Sequence, residues 1–290
     1  MIKIGIIGCD STHTENYAAI LNRDIAGSDM RATKLWGEDP DQATAKATET
    51  GIPEVVDTPD EAMEGVDAVM VLNRYGDKHF APAMQALDRQ LPLFVDKPMC
   101  DNPFEAVTIT RTALERGVPF MSASAVRYDR KVQELLASLP ESEPIRSLTF
   151  TVPNGWRLYG VHAVEVMHAV FGRGATDVQA IRDEGSDIVV IRWPNKQVGV
   201  ATQFRDAWMG MGWVTTSASG WAHGELHWDD TVDGIPRIYV ELTRKFHDML
   251  VGGPPPINAD EMVDIIRVCA AAEVSASEQR RVSLTEMPSL

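Results

Sequence analysis

Short apolar runs alternate with stretches of helical spacing over roughly the first 120 residues, the pattern of a parallel sheet covered by helices on both faces. Strands are predicted at Ile2 to Ile7, Ala32 to Trp36, Ala68 to Leu72, Leu93 to Val95 and Pro119 to Ser122. Between them fall helices at His13 to Leu21, Pro40 to Thr50 before Gly51, Phe80 to Asp88, and Pro103 to Arg116 before Gly117. Beyond Ser124 the rhythm changes. Tyr128 to Leu139 reads as a helix, followed by strands at Ser147 to Val152, Asp187 to Trp193, Gln197 to Phe204, Trp213 to Ser219 and Glu225 to Trp228. Helices at Val161 to Phe171 and Ala259 to Ala276 interrupt and close that series, the second after the turn-rich run Gly252 to Pro256. The expectation is an α/β chain with a parallel-sheet domain over 1–123, then an α+β domain over 124–290 with a large, mostly antiparallel sheet. The cleft between them is the expected site.

Charge narrows the ligands. Lys plus Arg number 27 against 42 Asp plus Glu, a formal net charge of −15, and no basic run occurs. Nucleic acid and anionic membranes are therefore excluded as partners, and an anionic ligand has to be held by local donors against the overall field. The three cysteines, Cys9, Cys100 and Cys269, form no CxxC pair, which speaks against a disulfide framework or thiolate zinc and fits a cytoplasmic protein. The apolar start of the chain is too short for a signal-peptide core, and no run approaches the ~18 apolar residues of a membrane span.

Gly8 follows the first strand where a dinucleotide fold makes its tight turn, and Thr12-x-x-Glu15 reads as a capping box opening the next helix. Backbone donors there suit an anion. The full fingerprint is Gly-x-Gly-x-x-Gly, but the run here is Gly8-Cys9-Asp10-Ser11-Thr12-His13. An ionised Asp10 ~5 Å from a phosphate charge, at an effective dielectric of ~20, repels it by about 3 kcal/mol. A helix dipole returns only about 0.3 to 1 kcal/mol. Either Asp10 turns away or the pyrophosphate is displaced. At the end of the second strand, where an acidic residue binds the adenosine ribose, the slot is Gly37. Glu38 either reaches over as a substitute, with Trp36 stacking on a base, or joins Asp39 in leading the helix that begins at Pro40. Glu38 also repels a 2′-phosphate, which favours NAD over NADP.

From Phe94-Val95-Asp96-Lys97-Pro98 onward the sequence resembles the Gfo/Idh/MocA family of oxidoreductases, whose sugar and cyclitol dehydrogenases carry Glu-Lys-Pro at this place. Ala68 to Leu72 with His79 downstream, Phe120 to Tyr128, Gly160-Val161-His162 through Phe171-Gly172, and Asn258 to Glu261 through Val282-Ser283-Leu284 are similar to further family segments in the same order. The resemblance implies an N-terminal Rossmann-type domain with a nicotinamide cofactor and a substrate hydroxyl held between Lys97 and His162. It implies cofactor contacts from Gly8, Asp10, Thr12, His13, Glu38, Asn73 and His79, and substrate contacts from Arg127, Tyr159 and Glu165. It also implies a homo-oligomer formed through the open sheet face of the second domain.

The residues themselves support part of this. Lys97 precedes a proline and so is steered out of helical geometry at a strand end facing the crevice, where an ammonium can stabilise a developing alkoxide. Histidine suits removal of a hydroxyl proton because its ordinary pKa lies near neutrality. Val161, Val164, Met167 and Phe171 mark an apolar stripe, which places His162 and Glu165 off it, towards a cleft or solvent, and His168 nearer the core. The aspartate that active family members carry four residues before this histidine is replaced by Leu158, with Tyr159 and Glu165 as nearby substitutes.

Other constellations are weaker. His223 and His227 suggest a metal, but four residues along a strand separates them by about 13 Å, too far for one ion, so no metal is expected. Trp208, Trp213, Trp221 and Trp228 suit sheet packing or a subunit interface. Two functions stand: hydride transfer between a nicotinamide cofactor and a secondary alcohol of a sugar, cyclitol or related polyol, or a protein of the same fold without redox turnover. The second would bind a small metabolite or carry out non-redox acid–base chemistry.

Overall fold

The computed structural model describes residues 1–139, 144–205 and 210–290. In chain order the first elements are β1 (Ile2–Ile7), α1 (Thr12–Asn22), β2 (Met30–Trp36), α2 (Pro40–Thr50), β3 (Glu54–Val55), α3 (Pro59–Ala62), β4 (Ala68–Val71), α4 (Phe80–Asp88), β5 (Leu93–Val95), α5 (Pro103–Arg116) and β6 (Phe120–Ser122). The strands form one six-stranded parallel sheet in the order β3-β2-β1-β4-β5-β6. The order reverses between β1 and β4. Crevices at such reversals, outside the carboxyl ends of the strands, are where open α/β sheets bind ligands.

Local chemistry sets these boundaries. Asp39 caps α2 by accepting from the amides of Asp41 and Gln42, Pro40 stands first in the helix, and Gly51 ends it in the left-handed region at φ 72°. The cap of α1 is Ser11, whose hydroxyl accepts from the His13 amide, so the helix begins one residue earlier than the expected capping box at Thr12 and Glu15.

The second series comprises α6 (Arg130–Ala137), β7 (Ser147–Pro153), α7 (Trp156–Phe171), β8 (Asp177–Arg182), β9 (Ser186–Arg192), β10 (Val198–Phe204), β11 (Gly212–Thr216) and β12 (Trp221–Glu225). After β13 (Thr231–Val232), β14 (Ile235–Pro236) and α8 (Arg237–Leu250), the chain closes with α9 (Ala259–Glu278) and β15 (Val282–Ser283). The second sheet runs β12-β11-β7-β10-β9-β8-β15 and is antiparallel except where β10 lies parallel to β7. The two-domain class expected from the pattern is therefore observed.

By contacts the chain divides into two units. Met1–Cys100, Thr108–Ala125 and Trp228–Asn258 make the first, and Asp101–Val107, Val126–His227 and Ala259–Leu290 make the second. The hand-over at Ala125 lies next to the expected division at residues 123 and 124. The return of α8 to the first unit was not legible in the pattern used, although Ile238, Leu242, Phe246 and Met249 give it a buried stripe. The strand expected at Glu225 to Trp228 lies earlier, at Trp221–Glu225, and Trp208 falls outside the described residues. The helix expected from Val161 begins at Trp156, whose indole donates to the Cys269 carbonyl at 3.0 Å and covers Gly160.

Gly5 in the middle of β1 shows how tightly the first unit is packed, because a Cβ there would meet the Ala62 carbonyl oxygen of α3 at 2.0 Å. Backbone cannot step aside as a side chain can. Gly5→Ala is expected to destabilise the protein by about 1–3 kcal/mol, the usual range for overpacking, in a urea-denaturation comparison; equal midpoints would show that α3 relaxes freely.

Candidate functional site

The turn after β1 is built against the loop after β4. Gly8 has φ 99°, and a Cβ on it would lie 2.5 Å from the Asn73 backbone nitrogen, so both conformation and space demand glycine. The Thr14 hydroxyl donates to the Gly8 carbonyl at 2.9 Å and the Ser11 hydroxyl donates to the Leu72 carbonyl at 3.1 Å. These bonds fix the amino end of α1 at the sheet's switch point, the arrangement that presents amides to a phosphate. Gly37 is equally constrained. A Cβ there would meet the Cys9 sulfur at 2.0 Å, so the slot that carries the ribose-binding acid elsewhere is filled from the side by Cys9.

Asp10 turns towards the β4 loop. Its Oδ1 accepts from the Arg74 amide at 2.9 Å, and its Oδ2 lies 3.7 Å from Lys78 Nζ. Lys78 also donates to Glu38 at 2.6 Å, and that bond outweighs partial burial in pushing the Lys78 ammonium above its ordinary range. One lysine thus meets both Asp10 and Glu38. Glu38 is tied to Lys78 while the neighbouring Asp39 caps α2, so the two acids have separate tasks. Lys46 adds another cation at the turn, donating to the Ser11 carbonyl at 2.5 Å and pairing with Glu15 at 2.8 Å. Thr12 is the exposed first residue of α1.

His13 occupies the fingerprint's third slot but does not turn its polar atoms outward. Its Nδ1 lies 2.5 Å from Asp96 Oδ2 and its Nε2 3.1 Å from the Tyr239 hydroxyl on α8. Asp96 is 2% exposed. Burial pushes its carboxyl up, but the charge and hydrogen bond of His13, with Lys97 and His79 beyond, overcome that and hold it at about 2. His79 is wholly buried, with Nδ1 2.8 Å from the Pro98 carbonyl oxygen and Nε2 2.8 Å from that of Asn73. The expectation that His79 touches a cofactor is therefore corrected: the ring ties the loops after β4 and β5 together.

In the second unit, His162 and Glu165 are 6% and 2% exposed, which corrects the expectation for open solvent. A single stripe underestimates their burial because α7 is covered by β7 and β10 and also by α9. Tyr159 sets its ring edge against His162, with centroids 5.3 Å apart. Leu158 lies on the same helix, one turn before His162. Arg127 lies between two carboxylates, 2.5 Å from Glu261 and 3.8 Å from Glu165. Burial first, then the Glu165 charge, pushes the adjacent Tyr128 phenol up. His168, read as a core residue, is buried and lies 3.2 Å from Asp264. Among the described residues no group of three or more His, Cys, Asp or Glu side chains is placed to hold a metal ion, and no helix is long and apolar enough to cross a membrane.

The structure thus gathers Gly8, Asp10, Glu38 and Asn73 around one turn and joins Arg127 to Glu165. Sequence reasoning missed Lys78, Asp96, Tyr239 and Glu261 as members of these clusters. Lys78 is adjacent to the recognised His79, and Asp96 to Lys97. Tyr239 and Glu261 are separated from their partners by 226 and 134 positions, and no local signal connects them.

Residues 2–124 match an oxidoreductase family with an NAD-binding Rossmann fold, Gfo/Idh/MocA. No curated protein matches the chain. Among solved structures, a probable dehydrogenase from Thermotoga maritima superimposes with a TM-score of 0.84 at 17% identity, covering 99% of this chain and 100% of that one. A scyllo-inositol dehydrogenase from Lactobacillus casei with bound NAD(H) and scyllo-inositol gives 0.85 at 13% identity, covering 98% and 99%. A myo-inositol 2-dehydrogenase from Lactobacillus plantarum gives 0.84 at 12% identity, covering 97% and 99%. The fold is shared almost end to end while the sequences have diverged, and the match to the Gfo/Idh/MocA oxidoreductase family covers residues 2–124.

Proposed function

We propose that the protein transfers a hydride between a nicotinamide dinucleotide, NAD rather than NADP, and a secondary alcohol of a sugar, cyclitol or related polyol. The observation that carries this reading is the glycine turn at the switch point, with both nearby carboxylates already engaged by Lys78 and the Arg74 amide. Bound there, the nicotinamide cofactor supplies the hydride acceptor or donor. The amides at the start of α1, with Lys78 and Lys46, receive the pyrophosphate; Glu38 remains an acceptor for ribose hydroxyls and disfavours a 2′-phosphate. Asn73 supplies backbone at the edge of the turn.

Lys97 donates to the substrate oxygen and stabilises its developing negative charge, and His162 takes the hydroxyl proton as hydride leaves. Tyr159 orients the imidazole by ring contact, while Arg127 and Glu165 give the second unit a buried polar surface suited to hydroxyl groups. The inositol dehydrogenases of the same fold make cyclitols the first substrates to try. Leu158 favours the competing reading without redox turnover, since leucine can neither orient His162 nor accept its proton.

Exposed Ile188, Phe204 and Val214 follow buried neighbours along β9, β10 and β11, and exposed Ile181 and Trp221, the last 70% exposed, lie on β8 and β12. This open apolar face supports a homo-oligomer acting in the cytoplasm, where the free cysteines stay reduced. Light scattering is expected to report a multiple of 32.0 kDa, and Val214→Asp with Trp221→Asp to return the monomer; a monomeric wild type contradicts the interface.

Titration with NADH, followed by nicotinamide fluorescence, is expected to saturate. No saturable signal up to about millimolar concentration overturns the dinucleotide reading, since that limit corresponds to only about 4 kcal/mol of binding. Saturation without oxidation of any inositol or sugar supports the non-redox reading.

Lys78→Ala should weaken NADH binding about tenfold or more by leaving Asp10 and Glu38 uncompensated, and Asp10→Asn in the same chain should recover most of the loss. Unchanged affinity in the single variant would remove Lys78 from the site.

A further inference from the structure

His13 departs from the family fingerprint, yet three elements converge on its ring. The carboxylate of Asp96 only accepts, so Nδ1–H donates to it across 2.5 Å, while Nε2 meets the Tyr239 hydroxyl at 3.1 Å. This gives an Asp96–His13–Tyr239 chain from the end of β5, through the first turn of α1, to α8. Tyr239 is itself wedged by aromatic packing, its ring centroid 5.5 Å from that of Tyr17, which in turn packs on Phe94. The ring of His13 is held at both nitrogens. The Asp96 amide donates to the Val71 carbonyl at 2.9 Å, anchoring the backbone from which Lys97 follows directly.

A glycine in the third slot normally permits close approach of helix and strand. A histidine there ties the helix to the residue beside Lys97. We propose that His13 is a positioning residue for Lys97: with Tyr239 fixing its far nitrogen, it holds the Asp96 side chain and so the backbone from which Lys97 follows. The inference rests on the reading of Lys97 as donor to the substrate oxygen. The charged or titratable groups that face Asp96 are His13 from α1, Lys97 from its own segment and His79 from the start of α4, while Tyr239 from α8 acts through His13. Of these, His13 supplies the strongest charge interaction and the side-chain hydrogen bond. Removing it leaves burial opposed mainly by Lys97 and His79, so the Asp96 carboxyl moves up from about 2.

The sign follows from that shift. In the wild type Asp96 stays ionised until the pH falls through about 2. Without His13 it takes up a proton at higher pH. The test is a pH titration of the Asp96 carboxyl carbon by 13C NMR in the wild type, His13→Ala, His13→Gln and Tyr239→Phe. It is run beside NADH affinity and kcat against pH with the inositol that turns over fastest.

The Asp96 midpoint is expected to rise by about one unit or more in His13→Ala and by less in His13→Gln and Tyr239→Phe. NADH affinity should stay within about threefold in Tyr239→Phe, because the Tyr239 hydroxyl meets the far nitrogen of His13. kcat should fall in His13→Ala and be largely recovered in His13→Gln, whose amide can still donate to Asp96. An unmoved Asp96 midpoint, or a kcat in His13→Ala equal to that of the wild type, overturns the proposal. Should His13→Ala fail to fold, the Asp96 midpoint in His13→Gln decides. A wild type without turnover overturns the dehydrogenase reading instead, and the Asp96 titration still reports on His13.

Discussion

The contact on which the rest of the first unit's site depends is backbone against backbone. Gly8 comes so close to Asn73 that no side chain fits between them, and this close approach brings the loops after β1 and β4 together at the point where the strand order reverses. The two hydroxyl bonds from Ser11 and Thr14 hold the first turn of α1 in register with it. Every charged group at the turn takes its place from this frame. Asp10 reaches the Arg74 amide only because the loops touch, and Lys78 can serve Asp10 and Glu38 together for the same reason.

Electrostatics at the turn are therefore local rather than global. A chain with a net charge of −15 is a poor general attractor of phosphates, and two of its carboxylates stand close to the proposed phosphate site. Lys78 offsets both at ion-pair distances of 2.6 and 3.7 Å, and Lys46 pairs with Glu15 at 2.8 Å, where the interaction is much stronger than the screened field of distant surface charges. The same logic applies in the interior. Asp96 is tolerated in an almost dry environment because His13 faces it directly, and Arg127 permits Glu165 and Glu261 to be buried together.

Much of the fold was legible because its signals are local. The parallel strands announce themselves as short apolar runs, and Pro40, Gly51 and Gly117 punctuate the helices. Gly8 was legible as a constrained turn position because turn geometry acts on the backbone itself. The burial of His162 was not, since it depends on α9 covering a face of α7 that a stripe of four apolar residues leaves open. The direction of Asp10 was open too, because charge repulsion says only that a carboxylate must turn away and not which amide receives it. Tyr239 shows the outer limit: its meeting with His13 is a property of the tertiary fold, in which a helix 226 positions downstream packs back onto α1.

The central claim is that the turn at Gly8 accepts a pyrophosphate without moving Asp10. A crystal structure of the protein grown with NAD tests it most directly. The account predicts diphosphate density over the amides that open α1, within reach of Lys78, with Asp10 still accepting from the Arg74 amide. Dinucleotide bound away from Gly8, or seated there only after Asp10 has left Arg74, would contradict it.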